Sequence, residues 1–265
     1  MAKGEVFVTN AGSNTVSVIS DSNNTVVSTI AVGTAPHGIA YDSATGEIFI
    51  ANLLSNTVSV ISDSNNTVVS TIAVGTAPHS VAYDSLREEV FTTNEKSNTV
   101  SVISDKTNTV VATVPVGNYP FDIAYDSEMG ELFVTSTNST VSVISDKTNT
   151  VVATVPVGNY PYYLASGPKG EIFVTKYNSN TVSVISDKTN TVVATVPVGK
   201  IPFGVAYDYE MGKMFVTTHN SNTVSIISYS SQSSVPEFGP LVGLIAAISL
   251  TSIIIIPKFG LIQKI

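Results

Sequence analysis

The chain has 265 residues and no cysteine, which excludes disulfides and thiolate metal sites and leaves the redox compartment open. Charge is scarce. Asp, Glu, Lys and Arg make up 12% of the residues, the formal net charge is −8, and no basic run occurs. A nucleic-acid binder needs clustered Lys and Arg to displace phosphate counterions, so that class of partner is set aside. Also missing are an Asp-x-Asp-x-Asp-Gly calcium loop, a phosphate-binding loop and a nucleophile elbow. The opening Met1-Ala2-Lys3-Gly4-Glu5 carries no apolar core of the signal-peptide kind.

What crowds the chain instead is Val, Ile and Thr, the β-branched types that fit a pleated, packed surface. They are arranged in a repeat. The segment from Asn14 to His37 recurs unchanged from Asn56 to His79, and Asn98 to Pro120 recurs from Ser139 to Pro161 with one difference. Copies of Thr-Val-Ser-[Val/Ile]-Ile-Ser begin at Thr15, Thr57, Thr99, Thr140, Thr181 and Thr223, spaced 41 or 42 residues apart. Such a period, filled with short β-type segments and not with a 3.6-residue pattern, predicts propeller blades.

Each repeat divides into four strands. Strand A is Pro36 to Asp42, B is Gly46 to Asn52, C is Thr57 to Ser62 and D is Thr67 to Val74. Asp, Asn, Ser and Gly clusters that bond their own backbone in tight turns separate them. Pro115, Pro156 and Pro197 fall in strand D. Proline lacks the amide hydrogen and is confined to edges and bulges, so D is expected outermost and A along the central channel. Counting gives five A, six B, six C and five D strands. The expectation is an all-β propeller of about six four-stranded blades, the first and last incomplete. A segment upstream that completes the ring, with a seventh blade, is the alternative.

After Ser228 the composition changes. Residues 229–235 are a Ser-rich linker, then Pro236-Glu237-Phe238-Gly239-Pro240 precedes an uncharged run from Leu241 to Ile256. Sixteen helical residues span about 24 Å, near the hydrocarbon thickness, and lysines beyond Pro257 can snorkel. The reading is one transmembrane helix at about 241–256, following a propeller over 1–228.

Strand B carries Phe7-Val8-Thr9-Asn10, Phe49-Ile50-Ala51-Asn52 and Phe91-Thr92-Thr93-Asn94. With the Asn-Thr-Val-Ser-Val-Ile and Val-Gly-x-x-Pro segments, these resemble the YVTN β-propeller repeats of archaeal and bacterial surface-layer proteins. The resemblance covers residues 4–228, although Ser136, Lys176 and Thr218 replace the motif's asparagine in later blades. The tail, Pro236, Glu237, Phe238 and Gly239 before an apolar segment and a lysine, is similar to the PEF-type C-terminal sorting signals of archaea. That resemblance implies export, a membrane-anchored extracellular propeller, and processing by an archaeosortase-like enzyme. Proteins with such tails carry a signal peptide, which points to a start upstream of Met1. Sequons at Asn23, Asn65 and Asn138 fit an exposed extracellular chain.

With D outermost, the D–A and B–C connections share one face. The C–D turn hardly varies, keeping Asp21, Asp63, Asp105, Asp146 and Asp187, whereas the B–C loop varies strongly, at Leu53 and Leu54, Glu95 and Lys96, Tyr177, and His219. That face is the candidate site for a protein or glycan ligand, against relaxed drift in exposed loops. His37, His79, Phe121, Tyr162 and Phe203 follow the D–A prolines and are expected to ring the channel mouth, where aromatics stack on sugars or peptide side chains, or pack between blades. The histidine pair invites metal or acid–base chemistry, yet an exact duplication explains it and no third histidine shares the layer. Glu47, Glu89, Glu131 and Glu171, with Asp42, Asp84, Asp126 and Asp208, read as turn and strand-start residues. No cofactor, metal site or catalytic residue is expected. The functional expectation is a non-catalytic cell-surface module, structural, adhesive or ligand-binding. The alternative is a propeller enzyme of lyase or lactonase type using the channel-mouth histidines.

Overall fold

A computed structural model describes residues 4–228 and the pair Ile254–Ile255. The described chain forms six antiparallel sheets. Blade 1 has three strands, β1 (Glu5–Asn10), β2 (Thr15–Ser20) and β3 (Val26–Ala31). Blade 2 runs β4 (Pro36–Asp42), β5 (Glu47–Asn52), β6 (Thr57–Ser62) and β7 (Thr67–Ala73). Blade 3 repeats this as β8 (Pro78–Asp84), β9 (Glu89–Asn94), β10 (Thr99–Ser104) and β11 (Thr109–Pro115). Blade 4 comprises β12 (Pro120–Asp126), β13 (Glu131–Ser136), β14 (Thr140–Ser145) and β15 (Thr150–Pro156). Blade 5 is β16 (Pro161–Ser166), β17 (Glu171–Lys176), β18 (Thr181–Ser186) and β19 (Thr191–Pro197). Blade 6 contains β20 (Pro202–Asp208), β21 (Lys213–Thr218), β22 (Thr223–Ser228) and β23 (Ile254–Ile255).

The first strand of each full blade is the inner one. β4, β8, β12, β16 and β20 contact each other in succession, whereas the fourth strands touch their neighbours sparingly. This is the radial arrangement expected from the prolines: Pro115, Pro156 and Pro197 each end an outer strand. The last blade departs from expectation. β23 pairs with β22, Ser225 opposite Ile255, in the register that sets Ser183 opposite Thr195 in blade 5. Those two residues are therefore strand, not part of a helix over 241–256, because β22 would otherwise leave an unpaired edge that β-branched residues suit well. The rest of that expected helix, the linker and Pro236–Gly239 lie outside the described residues. Among the described residues, no helix is long and apolar enough to cross a membrane.

The cores lie between blades. Phe49, Phe91, Phe133 and Phe173, the strand-B aromatics of blades 2–5, are fully buried. Each packs in a different apolar cluster, Phe133 for example with Leu164 and Ile172 of the following blade. A row of threonines reinforces the joints: Thr9, Thr93, Thr135 and Thr175 donate to the carbonyls of His37, Phe121, Tyr162 and Phe203 on the next inner strand, at 2.7–3.0 Å.

The repeated asparagines have separate tasks. Asn10, Asn52 and Asn94 donate through Nδ2 to Ser17, Ser59 and Ser101 at 2.9 Å, latching the second and third strands. Where Ser136, Lys176 and Thr218 replace them, the freed hydroxyls of Ser142, Ser183 and Ser225 bond the backbone at Gly117, Val157 and Gly199. Asn14, Asn56, Asn98 and Asn180 sit at φ of 54–59°, a region asparagine tolerates. From there each Oδ1 accepts the N–H of Ala35, Ala77, Tyr119 or Ile201. These bonds hold the loop between blades against the blade's own B–C turn. Gly75 is needed where that loop meets the next blade, since a Cβ there would lie 2.6 Å from the Asn94 side chain.

Candidate functional site

The variable loops do share one face. Backbone N–H groups of Leu53, Glu95, Thr137, Tyr177 and His219 donate to the carbonyls of Ala35, Ala77, Tyr119, Tyr160 and Ile201, so each B–C loop is tied to the D–A loop beside it. Leu53, Leu54, Glu95 and Lys96 meet around a cavity of about 240 Å³ between blades 2 and 3. Phe203 and His219 line another, of about 250 Å³, in blade 6.

The five residues that follow the D–A prolines form a continuous arc. Ring centroids are 5.0 Å apart for His37 and His79, 3.8 Å for His79 and Phe121, 4.5 Å for Phe121 and Tyr162, and 5.8 Å for Tyr162 and Phe203. Tyr163 fills in between Phe121 and Phe203, and Tyr177 stacks on Tyr162 at 5.1 Å. Offset and tilted contacts at these distances are the favoured aromatic geometries. The arc is not sealed: Phe203 is 38% exposed, and Tyr119 and Tyr160 stand half-exposed beside it. His79 is the buried member. Its Nδ1 lies 3.1 Å from the Phe121 carbonyl oxygen, and burial, with His37 adjacent, holds its pKa down to about 4. A neutral, stacked imidazole is a packing group in this geometry. Among the described residues, no three His, Asp or Glu side chains are grouped to hold a metal ion.

Behind the arc lies a carboxylate that sequence reasoning did not single out. Asp122 on β12 accepts from the Ser80 hydroxyl of β8 at 2.7 Å and from the Leu164 N–H of β16 at 3.0 Å. It thus ties three inner strands together. Its loss of solvent raises its pKa to about 6, although the hydrogen bonds pull the other way.

The opposite face repeats a Tyr–Asp motif. Tyr83 and Tyr125 donate to Asp105 and Asp146 at 3.2 Å. Each also lies beside the aspartate ending the previous inner strand, Asp42 or Asp84, and burial with these carboxylates raises both phenols. Blade 5 lacks this tyrosine, having Ser166. A cavity of about 220 Å³ lies there, lined by Tyr125, Asp126 and Ser166. Asp126 Oδ2 and both Asp187 oxygens are buried without partners. Burial and the Asp126 charge push the Asp187 carboxyl up. Ser166→Tyr is expected to stabilise the fold by about 1 kcal/mol, seen as a higher denaturant midpoint, by returning a donor to these oxygens.

The sequon asparagines are exposed and locally folded. Asn23 and Asn65 accept from the backbone and hydroxyl of Thr25 and Thr67, and Asn138 accepts from Thr140. The sorting motif at Pro236, Glu237, Phe238 and Gly239 lies outside the described residues.

Comparison with known proteins agrees with this architecture. A family model described as YNCE-like beta-propeller matches residues 38–139. No curated protein matches the chain. Kuenenia stuttgartiensis hydrazine synthase superposes with a TM-score of 0.75 at 18% identity, over 86% of this chain and 74% of that one. A functionally unknown protein from Desulfotomaculum acetoxidans DSM 771 does so at 0.78 and 15% identity, over 86% and 76%. At such identities the likeness concerns the fold alone: by its repeats, its sheets and these neighbours, the chain is a β-propeller.

Proposed function

We propose that the protein is a non-catalytic propeller of the cell surface, a ligand-binding or adhesive module that captures a glycan or protein segment on its variable-loop face. The observation that carries the reading is the continuous aromatic arc from His37 to Phe203, opening among the loops that differ most between otherwise near-identical blades. Stacked, partly exposed rings offer flat apolar area at low entropic cost to sugar faces or to aromatic and proline side chains. Residues 236–265 are proposed to be read by an archaeosortase-like enzyme and to attach the propeller to the membrane, on the strength of the Pro-Glu-Phe-Gly motif and the uncharged run after it, insertion of that run requiring Ile254 and Ile255 to leave the edge of β22.

Binding is tested on a glycan array and a displayed peptide library. A genuine hit should weaken at least tenfold in Phe203→Ala and Tyr177→Ala and stay unchanged in Thr148→Ala on the far face. Hits indifferent to the ring variants would overturn the reading. So would stoichiometric metal with a turnover lost in the His37→Ala/His79→Ala double variant, the signature of the enzyme alternative. The full-length chain should fractionate with membranes, and deletion of 236–265 should release it; cytosolic recovery of the full-length chain would remove the anchoring proposal.

A further inference from the structure

On the face opposite the variable loops, one position breaks the repeat. The inner strands β4, β8 and β12 carry Tyr41, Tyr83 and Tyr125 just before their last aspartate. Each hydroxyl donates to the aspartate in the C–D turn of its own blade, at 2.9–3.2 Å. Blade 5 has Ser166 and Gly167 at these two places. The register shows that they are equivalent: Tyr125 lies opposite Leu132 of β13, and Ser166 opposite Ile172 of β17. The serine does not replace the phenol. Its hydroxyl donates instead to the Tyr125 carbonyl of the neighbouring blade, at 3.4 Å.

The space without the ring is the cavity of about 220 Å³, lined by Tyr125, Asp126, Ser166, Gly170 and Ile172 among others. Asp126 and Asp187 are 6% and 2% exposed, and three of their four carboxylate oxygens have no hydrogen-bond partner among the described residues. Asp126 is itself in the wall. Asp187 stands directly behind Gly170: its N–H donates to the Gly170 carbonyl at 2.8 Å, and a Cβ on that glycine would collide with Oδ2. Gly130 holds Asp146 in the same way, and there Tyr125 supplies the donor. A buried acceptor left without a donor is costly, so a donor that enters this cavity gains more than it would at an exposed carboxylate. A metal ion fits less well. It needs four or more ligands, and among the described residues no three His, Asp or Glu side chains are grouped to supply them.

We propose that this cavity binds a phenol, whose hydroxyl donates to Asp187 beside Asp126 while its ring takes the place of the tyrosine side chain that blade 5 lacks. The chain itself supplies the template, since Tyr125 occupies the equivalent place against Asp146. The size is adequate: an apolar cavity of about 150 Å³ suffices for benzene. The same ring can arrive as a free phenolic molecule or as the tyrosine of a partner segment. The site lies across the propeller from the aromatic arc, and the proposal needs nothing of the loop-face reading.

The experiment titrates the full-length chain by calorimetry with p-cresol, which reproduces the tyrosine side chain, and with toluene, which lacks the hydroxyl. Saturable one-to-one binding of p-cresol is expected, at least tenfold tighter than that of toluene. Ser166→Ala keeps the cavity and should retain the affinity, whereas Ser166→Tyr fills it from within and should abolish binding. Asp126→Asn keeps the oxygen that accepts the Glu128 N–H and offers an amide donor to Asp187, so p-cresol should bind about tenfold more weakly and toluene unchanged. No saturable binding, equal affinities for p-cresol and toluene, or p-cresol binding that survives in Ser166→Tyr would each overturn the proposal. The tripeptide Gly-Tyr-Gly separates the two sources: binding as tight as that of p-cresol supports a partner's tyrosine, and binding of p-cresol alone supports a free phenol.

Discussion

Phe133→Ala should lower the free energy of unfolding by about 3–5 kcal/mol, read as a fall in denaturant midpoint with little change in slope. Phe133 is fully buried and packs with Val141, Val143, Leu164, Ile172 and Ile185, so it bridges blades 4 and 5. Removing the ring forfeits its transfer energy and leaves a cavity between two sheets that cannot close without shifting a blade. The equivalent Phe7 is only partly buried and borders a cavity at β1. Phe7→Ala should therefore cost less than half as much, about 1–2 kcal/mol. Equal losses at both positions would show that the joint between blades 1 and 2 is as closed as the others.

Asp122 should give the propeller a pH-dependent stability that disappears in Asp122→Asn. Its pKa is raised to about 6 in the folded state, from an ordinary aspartate value of 3.8, because the carboxyl is packed among three inner strands. A folded-state value above the unfolded one means that the protonated form folds more favourably. The added stability is fully present below about pH 4 and is lost as pH rises through 6, by up to about 3 kcal/mol. Asparagine keeps an oxygen for the Leu164 N–H and offers an N–H to the Ser80 hydroxyl, so Asp122→Asn should fold and show a flatter profile between pH 4 and 7. Asp122→Ala removes both bonds and should lose about 2–3 kcal/mol near pH 4, where the native side chain is neutral and bonded. A wild-type profile that rises from pH 4 to 7 as steeply as the Asp122→Asn profile would contradict the assignment.

Much of this molecule was legible along the chain. The 41–42-residue period announced the blades, and Pro115, Pro156 and Pro197 placed the fourth strand outside before any contact was known. The position of the outer strand then put the varied loops on one face and set His37, His79, Phe121, Tyr162 and Phe203 in neighbouring places. These are consequences of local pattern: strand alternation, turn chemistry and the amide that proline lacks.

The sequence could not show which of the recurring residues touch across blades. Asp122 looked like one polar residue of an inner strand, yet its two partners lie 42 positions before and after it in sequence. Such pairings depend on how sheets pack radially, which no residue's neighbours in sequence encode. The same is true of Ser166, whose effect is the missing hydroxyl between Asp126 and Asp187, and of Ile254 and Ile255, which the apolar run assigned to a helix and the open edge of β22 takes as strand. The sequence by itself determined the blades, their strand order and the face on which they differ, because those follow from spacing along one chain. Only the tertiary structure decided which inner edge is left open, which carboxylate joins three inner strands and how the rings meet, because those follow from contacts between blades.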